Sequence, residues 1–449
     1  MVRVPSKSGF GNLSDRSSKS DKSKRELARI RESPTFRLGV IFTNAIEKPW
    51  RLIWLPLSIF SLLVRLVRER TGKKSRFSDK LTLGGNGGKR NSIIMFPTNG
   101  VGFGHFTRML AVAKRMRSLD PKIEIIFFTT MPTLHILQRE GFPAYFLPGR
   151  KKIEGMDAST WNSISEELLA NVISIHNPKA FIFDGSYPYR GMLNAIKRRP
   201  EILKIWMRRG TFKIGKSNVP VDSFEHFDLL VSPNDSIKDV QNADFQIPLV
   251  HCDPIILLDH EDLLPGNVLR RRLGIPEDAV VGFVQLGAGQ INDIFSDISI
   301  VVQSIIELGG FVVLAESLIG NRVELENFEN IRVIRDYPTS QYYHSFDFAV
   351  IAGGYNSYHE SINFSLPSIC IPNSKTGMDD QSKRAEAAEK IGAMLIVENC
   401  TRPKMLTALE KIMNPDKREQ MRESCNELRT PNGADQISAH ILDLINRID

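Results

Sequence analysis

A glycine-rich stretch that ends in a histidine holds the first residues whose types suggest chemistry. The sequence FPTNGVGFGHFTRM places His105 after Gly102 and Gly104, between an apolar run and an amphipathic segment. Glycines let a ligand approach the main chain, and a histidine at a helix start sits beside unpaired backbone N–H groups that favour neutral imidazole. We therefore predict that His105 acts as a general base.

An aspartate at the end of a later apolar run could orient this histidine. The run AFIFD ends in Asp184, whose carboxylate could accept from one ring nitrogen and leave the other to take a proton. Asp184 could equally cap the helix that follows it. We predict His105 and Asp184 as the catalytic residues, with Gly102, Gly104 and Arg108 in the acceptor-side loop.

The segment VIAGGYNSYHES predicts a helix start that binds phosphate. A strand ends at Gly353 and Gly354, and Asn356 or Ser357 is expected to cap the next helix. Such a helix start offers backbone N–H groups and a positive dipole end to a diphosphate. Glu360, expected in the first turn, could accept both hydroxyls of a ribose.

A second helix start follows shortly afterwards. The run SICIP leads to Asp380 and Gln381, where a carboxylate and an amide could bind sugar hydroxyls. Taken alone, Asp380 is better explained as an ordinary helix cap. The order and spacing of the two helix starts together favour a nucleotide-sugar site.

Short apolar runs that alternate with helical segments must position these loops. Runs such as SIIMFP, IEIIFFTT and AFIFD, and later VVGFVQL, FAVIAG and SICIP, predict buried strands separated by helices. The alternation indicates an α/β fold with two doubly wound, Rossmann-like domains facing across a cleft. Ligands of parallel sheets bind at the carboxyl ends of the strands, so the loops above should line this cleft.

The chain divides into five predicted segments. They are a disordered basic tail at 1–35, an amphipathic membrane-interfacial segment and linker at 36–90, an acceptor-binding domain at 91–255, a donor-binding domain at 256–430 and a C-terminal helix at 431–449.

Charge and cysteine content narrow the function further. Residues 1–90 hold 21 Lys and Arg against 7 Asp and Glu, which leaves 38 against 44 for residues 91–449. The basic character thus belongs to the N-terminal part, and the acidic remainder argues against a nucleic-acid partner. The 4 cysteines are far apart and indicate neither a zinc site nor a disulfide framework, so we expect no metal and a cytoplasmic location.

The segment PWRLIWLPLSIFSLLVRLVRERTGKK suggests contact with a membrane surface. Residues 52–64 are uncharged and would cover roughly 20 Å as a helix, short of the roughly 30 Å hydrocarbon core, and Pro56 is expected to interrupt them. Trp50, Trp54 and the basic flank suit the headgroup region of an anionic leaflet. We predict peripheral contact through residues 50–76 at the inner face of the membrane; packing on the first domain is the alternative.

From about Ile93 to Ile445 the chain resembles a GT-B glycosyltransferase. It is most similar to the group containing the peptidoglycan lipid-intermediate N-acetylglucosaminyltransferase and the diacylglycerol sugar transferases. The matching motifs are the glycine-rich loop ending in His105 and the segments GGYNSYHES, LPSICIP and DDQSKRAEAAEKIGA. The resemblance implies that the second half binds a nucleotide sugar, usually a UDP-sugar, and that no metal or other cofactor is required.

The resemblance also implies roles for individual residues. Glu360 would bind the ribose, and the diphosphate would be bound by Gly354, Asn356 and Ser357. The transferred sugar would be contacted by Asp380 and Gln381, and the nucleobase by Ile334 and Arg335. Further donor contacts would come from the loop QLGAGQIND, through Gly287, Gly289 and Gln290. The first loop has a looser glycine cluster than the peptidoglycan enzyme, and LGAGQ lacks that enzyme's serine. These departures leave the acceptor open.

The sequence therefore predicts an inverting hexosyltransferase that uses a glycan or lipid-linked acceptor in cell-envelope or exopolysaccharide synthesis. The first loop also resembles that of nucleotide-sugar hydrolases, in which the histidine would activate water, and epimerases share the fold. A non-catalytic sugar-nucleotide sensor or a component of a polysaccharide assembly complex would keep Glu360 and the glycines without needing His105.

Overall fold

The computed structural model divides into two compact units, Met1–Gly85 and Asn86–Asp449. It describes residues 38–39, 42–43, 46, 55–70, 91–98, 102–208, 221–236, 247–287, 294–319, 322, 328–373, 376 and 379–447. The predicted disordered tail at 1–35 lies outside these residues, as does most of the predicted linker that follows the amphipathic segment.

The first unit contains one long described helix, α1, at Leu55–Arg70. Pro56 lies in its first described turn, where a proline costs no hydrogen bond. Residues 51–54 lie outside the described residues, so the expected interruption at Pro56 stays a prediction. Leu57, Phe60 and Leu63 are exposed on it, at 66%, 67% and 54%. Among the described residues, no helix has the length and apolar character needed to cross a membrane.

The first sheet has seven parallel strands in the order β3-β2-β1-β4-β5-β6-β7. The strands are β1 Ser92–Pro97, β2 Glu124–Thr129, β3 Ala144–Phe146, β4 Ala180–Asp184, β5 Leu203–Met207, β6 Leu229–Pro233 and β7 Leu249–Cys252. The accompanying helices are α2 Gly104–Leu119, α3 Leu134–Arg139, α4 Ala158–His176 and α5 Arg190–Lys197.

The second sheet repeats this arrangement with six parallel strands in the order β10-β9-β8-β11-β12-β13. The strands are β8 Val281–Gln285, β9 Phe311–Ala315, β10 Ile331–Ile334, β11 Phe348–Ala352, β12 Ser368–Ile371 and β13 Met394–Ile396. The helices are α6 Gly266–Leu273, α7 Phe295–Glu307, α8 Tyr355–Asn363, α9 Gln381–Lys390, α10 Arg402–Met413, α11 Pro415–Leu428 and α12 Gly433–Asn446. The prediction of two doubly wound Rossmann-like halves is thereby confirmed.

The strands were predictable because both faces of each sheet are covered. Every residue of β1 is buried, which explains its continuous apolar sequence. Strand β7 was not predicted from the sequence. It lies at the sheet edge, and only its last residue, Cys252, is buried. A half-exposed edge strand such as this leaves no apolar run in the sequence.

The C-terminal helix α12 returns to the first half of the chain. It packs along α2, where Ser438 Oγ donates to the Val112 carbonyl oxygen at 3.1 Å and Arg115 Nε lies 2.8 Å from Asp435 Oδ1. This helix, at Gly433–Asn446, ties the end of the second half to the first. One hydrophobic cluster contains residues of both sheets, including Met95 and Ile351.

The return of α12 to the first half gives a stability test at Gly433. A Cβ at this position would lie 1.9 Å from the Asp253 carbonyl oxygen, just beyond β7. We expect Gly433→Ala to lower the free energy of unfolding by about 1–3 kcal/mol, measured by thermal unfolding, because the backbone must shift.

Gly149→Ala is the matched control for this substitution. Gly149 has φ −58°, and a Cβ added to it would meet no described atom within 4 Å, so its replacement should leave the midpoint unchanged or slightly raised. Equal midpoints for the two variants would contradict the described contact between α12 and the exit of β7.

Candidate active site

The catalytic candidates lie at the point where the strand order of the first sheet reverses. Strands β1 and β4 are neighbours, with Pro97 opposite Asp184, and the Thr98 N–H donates to the Asp184 carbonyl oxygen at 2.9 Å. His105 is in the first turn of α2, which follows β1. The two side chains therefore reach the same edge of the sheet, as the parallel topology requires.

His105 and Asp184 are in direct contact. His105 Nδ1 lies 2.7 Å from Asp184 Oδ1, and Asp184 does not cap the following helix, α5. Arg108 Nη2 also lies 3.0 Å from His105 Nδ1. An ionised carboxylate oxygen can only accept, so the shorter contact with Asp184 favours the tautomer with the proton on Nδ1, in which a neutral ring has its lone pair on Nε2. The His105 side chain is 22% exposed, so the ring is accessible from solvent.

Arg108 completes this group of side chains and is not in the acceptor-side loop, where it was predicted. It lies on α2, one turn after His105, with 2% exposure. Its Nε donates to Asp184 Oδ2 at 3.1 Å and its Nη2 donates to Asp184 Oδ1 at 2.7 Å. This fork is the bidentate geometry that arginine makes with carboxylates. Gly102 and Gly104 do lie in the loop and first turn before it.

The charges in this group decide its protonation. Burial opposes ionisation of Asp184, but the neighbouring Arg108 and His105 outweigh it and hold the pKa of Asp184 below its ordinary value. Burial likewise works against the charged form of Arg108, and Asp184 overcomes it, so the pKa of Arg108 is raised. Asp184 is therefore a carboxylate whose charge is shared between an arginine and a histidine.

The predicted diphosphate site is the start of α8. Gly354 is the residue before the helix, and no described side chain caps it. The expectation that Asn356 or Ser357 caps the helix was wrong, because both lie within its first turn. The first backbone N–H groups of a helix have no partner inside it, so this start can receive an anion. A Cβ on Gly354 would meet no described atom within 4 Å.

Glu360 was misplaced by one turn and lies in the second turn of α8. Its side chain is buried at 7% exposure and accepts from Ser340 Oγ at 3.1 Å. Burial raises the pKa of Glu360 to about 7, which the hydrogen bond from Ser340 only partly offsets. A carboxyl group with this pKa is neutral or ionised according to what else donates to it.

At the second predicted helix start, that of α9, the side chains of Asp380 and Gln381 form hydrogen bonds with nearby backbone N–H groups. Asp380 caps α9 by accepting from the Lys383 N–H at 3.2 Å, the alternative that the sequence had left open. Gln381 is buried, and its Oε1 accepts from the Asn373 N–H at 2.9 Å. Gly353 approaches this turn closely, since a Cβ there would lie 3.0 Å from that of Gln381. Sugar contacts by Asp380 and Gln381 stay a prediction.

The remaining donor candidates fall into three groups. Gly287 follows β8 with φ 99°, a conformation that favours glycine, whereas Gly289 and Gln290 lie outside the described residues. The Ile334 side chain is 3% exposed and packs in the core, so it is not available to a nucleobase. Arg335 reaches the loop after β9, where its Nη2 donates to the Ser317 carbonyl oxygen at 3.1 Å.

Two contacts join α2 to the second half of the chain, and one of them reaches α8. The Arg108 guanidinium carbon lies 5.4 Å from the centre of the Tyr355 ring, and Tyr355 is the first residue of α8. Thr107 Oγ1 lies 2.9 Å from the Tyr337 hydroxyl, which belongs to the stretch before Ser340. The His105–Asp184 pair is therefore linked through Arg108 to the start of α8.

Sequence reasoning missed Tyr337 and Tyr355, whose contacts with Thr107 and Arg108 arise only from the approach of the two halves. It also missed Ser340, whose contact with Glu360 lies within the second half. It also missed Asp235 and Arg384, which form a buried ion pair between the halves. An arginine within a charged helix such as QSKRAEAAEK gives no signal that it faces inward. Among the described residues, no group of three or more His, Cys, Asp or Glu is placed to hold a metal ion.

Comparisons with known proteins agree with this geometry. Residues 319–437, which include β10 to β13 and helices α8 and α9, match the glycosyltransferase family 28 C-terminal domain. A search of curated protein sequences found no match.

Solved structures share the fold. Acinetobacter baumannii MurG is 15% identical, with a TM-score of 0.51 over 79% of this chain and 99% of that chain. Medicago truncatula UGT71G1 in complex with UDP-glucose is 16% identical, with a TM-score of 0.53 over 80% and 98%. A putative UDP-N-acetylglucosamine 2-epimerase from Listeria monocytogenes is 11% identical, with a TM-score of 0.56 over 80% and 98%. The chain thus has the GT-B fold, which it shares with MurG and other glycosyltransferases, and residues 319–437 of its second half match the glycosyltransferase family 28 C-terminal domain.

Proposed function

We propose that this protein is an inverting, metal-independent glycosyltransferase that moves a hexosyl group from a UDP-sugar to a hydroxyl of a glycan or lipid-linked acceptor. The observation that carries this proposal is the His105–Asp184 pair packed beside the start of α8 through Arg108 and Tyr355. A general base and an anion-binding helix start are thereby within one site, and sugar transfer from a nucleoside diphosphate needs both.

The proposed reaction follows from these groups. His105 Nε2 takes the proton of the acceptor hydroxyl while its oxygen forms a bond to the anomeric carbon, on the face opposite the departing nucleoside diphosphate. The bond from that carbon to the phosphate oxygen breaks, and the leaving group takes its electron pair. Backbone N–H groups at the start of α8 stabilise the charge that develops on the phosphate. Asp184, fixed by Arg108, keeps the imidazole oriented and stabilises its protonated form.

The nucleoside is proposed to bind through Glu360. A buried carboxyl group whose described hydrogen-bond partner is a single serine can accept further donors, and the two hydroxyls of a ribose provide them. The proposal places the diphosphate at Gly353, Gly354, Asn356 and Ser357, with Gly287, Gly289, Gln290, Arg335, Asp380 and Gln381 as additional donor contacts.

Helix α1 is proposed to bring the enzyme to an anionic membrane at the cytoplasmic face, where a lipid-linked acceptor of envelope or exopolysaccharide synthesis would be found. Leu57, Phe60 and Leu63 present exposed apolar surface on a helix whose sequence ends in the basic stretch RLVRER. Such a combination suits a helix that lies in the interface plane of a membrane.

The reaction is tested by incubating the protein with UDP-, GDP- and dTDP-sugars, with and without a membrane extract. Extract-dependent transfer supports a transferase, sugar release without extract indicates a hydrolase, and binding without turnover indicates a sensor.

We expect His105→Ala to reduce turnover by roughly 10²–10⁴-fold with nearly unchanged donor affinity, because the base acts on the acceptor. The exposed His135 on α3 gives the control: His135→Ala should retain full turnover. Equal activity of H105A and wild type would remove His105 as the base.

Donor binding should depend on pH through Glu360. In the free protein the pKa of this group is about 7, and ribose hydroxyls donate to the ionised form, so the bound pKa must be lower. UDP affinity measured by calorimetry should therefore rise as the pH increases from 6 to 8 and then level off. The gain is about tenfold for each unit by which binding lowers the pKa.

The variant Glu360→Gln separates this effect from titration of UDP itself. It should bind more weakly at pH 8 and lose the part of the pH dependence that belongs to the protein. A profile for E360Q that parallels wild type would show that Glu360 does not contact the nucleotide.

Membrane contact is tested by replacing Leu57, Phe60 and Leu63 together with serine. The partition coefficient onto vesicles of phosphatidylglycerol and phosphatidylcholine, measured by sedimentation, should fall by about 10³-fold or more, since each buried apolar side chain contributes about 1.5–3 kcal/mol to transfer from water. Leu168→Ser, at a position 41% exposed on α4, is the control and should sediment as wild type does. Unchanged sedimentation of the triple variant would remove the membrane role of α1.

A further inference from the structure

Arg384 on α9 holds together three segments that meet behind the proposed donor site. It is fully buried at 0% exposure. Its Nη1 donates to the Gly353 carbonyl oxygen at 2.6 Å, at the turn into α8. Its Nη2 donates to Asp379 Oδ1 at 2.7 Å, at the turn into α9. One guanidinium group therefore fixes the turns that precede both helix starts of the proposed donor site.

The third segment comes from the first half of the chain. Asp235 lies just beyond β6, with its side chain 2% exposed, and receives the Nε and Nη2 groups of Arg384 at 2.9 and 2.6 Å. His359 Nε2, on α8, lies 3.2 Å from Asp235 Oδ1. A carboxylate of one half is thus inserted between two helices of the other.

Asp235 and Arg384 favour each other's charged form. Burial disfavours the charge on Asp235, yet Arg384 and His359 together hold the pKa of Asp235 well below its ordinary range. Burial also disfavours the charge on Arg384, and Asp379 and Asp235 raise its pKa well above the ordinary value. Without Asp235, the buried guanidinium would keep a single carboxylate and would have to find another partner or solvent.

We propose that Arg384 is a positioning residue through which the first half shapes the donor site. When Asp235 occupies Nε and Nη2, the remaining donors of the rigid guanidinium point at the Gly353 carbonyl oxygen and at Asp379, and both turns take their binding geometry. When the halves separate, Arg384 loses this orientation and the start of α8 loosens. Donor binding is therefore coupled to the association of the two halves. The inference rests on the proposed donor role of α8.

The coupling is tested by amide hydrogen exchange and by nucleotide binding in the full-length chain. In Asp235→Asn, which preserves side-chain shape, we expect amides of residues 353–358 to exchange about tenfold faster and UDP to bind about tenfold more weakly, although Asp235 itself lies in the other half. Arg384→Lys keeps the charge but lacks the fork and should show the same two changes. In the double variant, amide exchange and UDP affinity should change no more than in the more affected single variant, because both substitutions remove the same coupling.

The control is Arg115→Gln. Arg115 also joins the halves, through Asp259 and Asp435, but it touches neither turn of the donor site. This variant should leave exchange at 353–358 and UDP binding unchanged even if its melting temperature falls. A purely structural role of Arg384 would instead lower the melting temperature with local exchange and affinity intact.

Unchanged exchange at 353–358 together with unchanged UDP affinity in D235N would overturn the inference. If D235N does not fold, R384K is measured in its place by the same criteria. If wild-type protein binds none of UDP, GDP and dTDP, the proposed donor site fails, and the exchange measurement still decides whether Asp235 orders the start of α8.

Discussion

The buried carboxylate of Asp184 is the constraint that determines the arrangement of His105 and Arg108. A charge with no exposure would destabilise the fold unless it were paired, and the fork from Arg108 supplies the pair. Arg108 is one helical turn after His105, so the same helix face that neutralises the carboxylate also brings the imidazole to it. The orientation of His105 is thus a consequence of how the β4 end is made stable.

Glu360 shows the opposite solution for a buried carboxyl group. Glu360 is hydrogen-bonded to a serine, whereas Asp184 is paired with an arginine. Their pKa values are therefore shifted in opposite directions, downward for Asp184 and upward to about 7 for Glu360. The first arrangement is complete in itself and suits a residue that orients another. The second leaves hydrogen-bonding capacity for further donors, which is the property expected of a group that receives a ligand.

The sequence predicted those features that depend on local pattern. Continuous apolar runs indicated the buried strands, and parallel topology then placed the ends of β1 and β4 together, which is why the contact of His105 with Asp184 could be anticipated. Helix boundaries were less accurate, since Gly354 rather than Asn356 or Ser357 precedes α8. Residues that act between the halves, such as Asp235 and Arg384, escaped because their partners are about 150 positions away, and no local periodicity reports such a distance.

The choice between a sugar hydroxyl and water as the proton source depends on more than the His105–Asp184 pair. The pair would serve either nucleophile, and its partly exposed imidazole is accessible to both. A transferase must therefore exclude water while donor and acceptor are bound, and closure of two halves around the reacting centre is a general way to do so. In the proposed coupling, such closure would act at the turns before α8 and α9, because Asp235 enters the second half where Arg384 holds Gly353 and Asp379. A site whose donor cradle is completed by the opposite half would bind its nucleotide most tightly when closed, and this ordering favours transfer over hydrolysis.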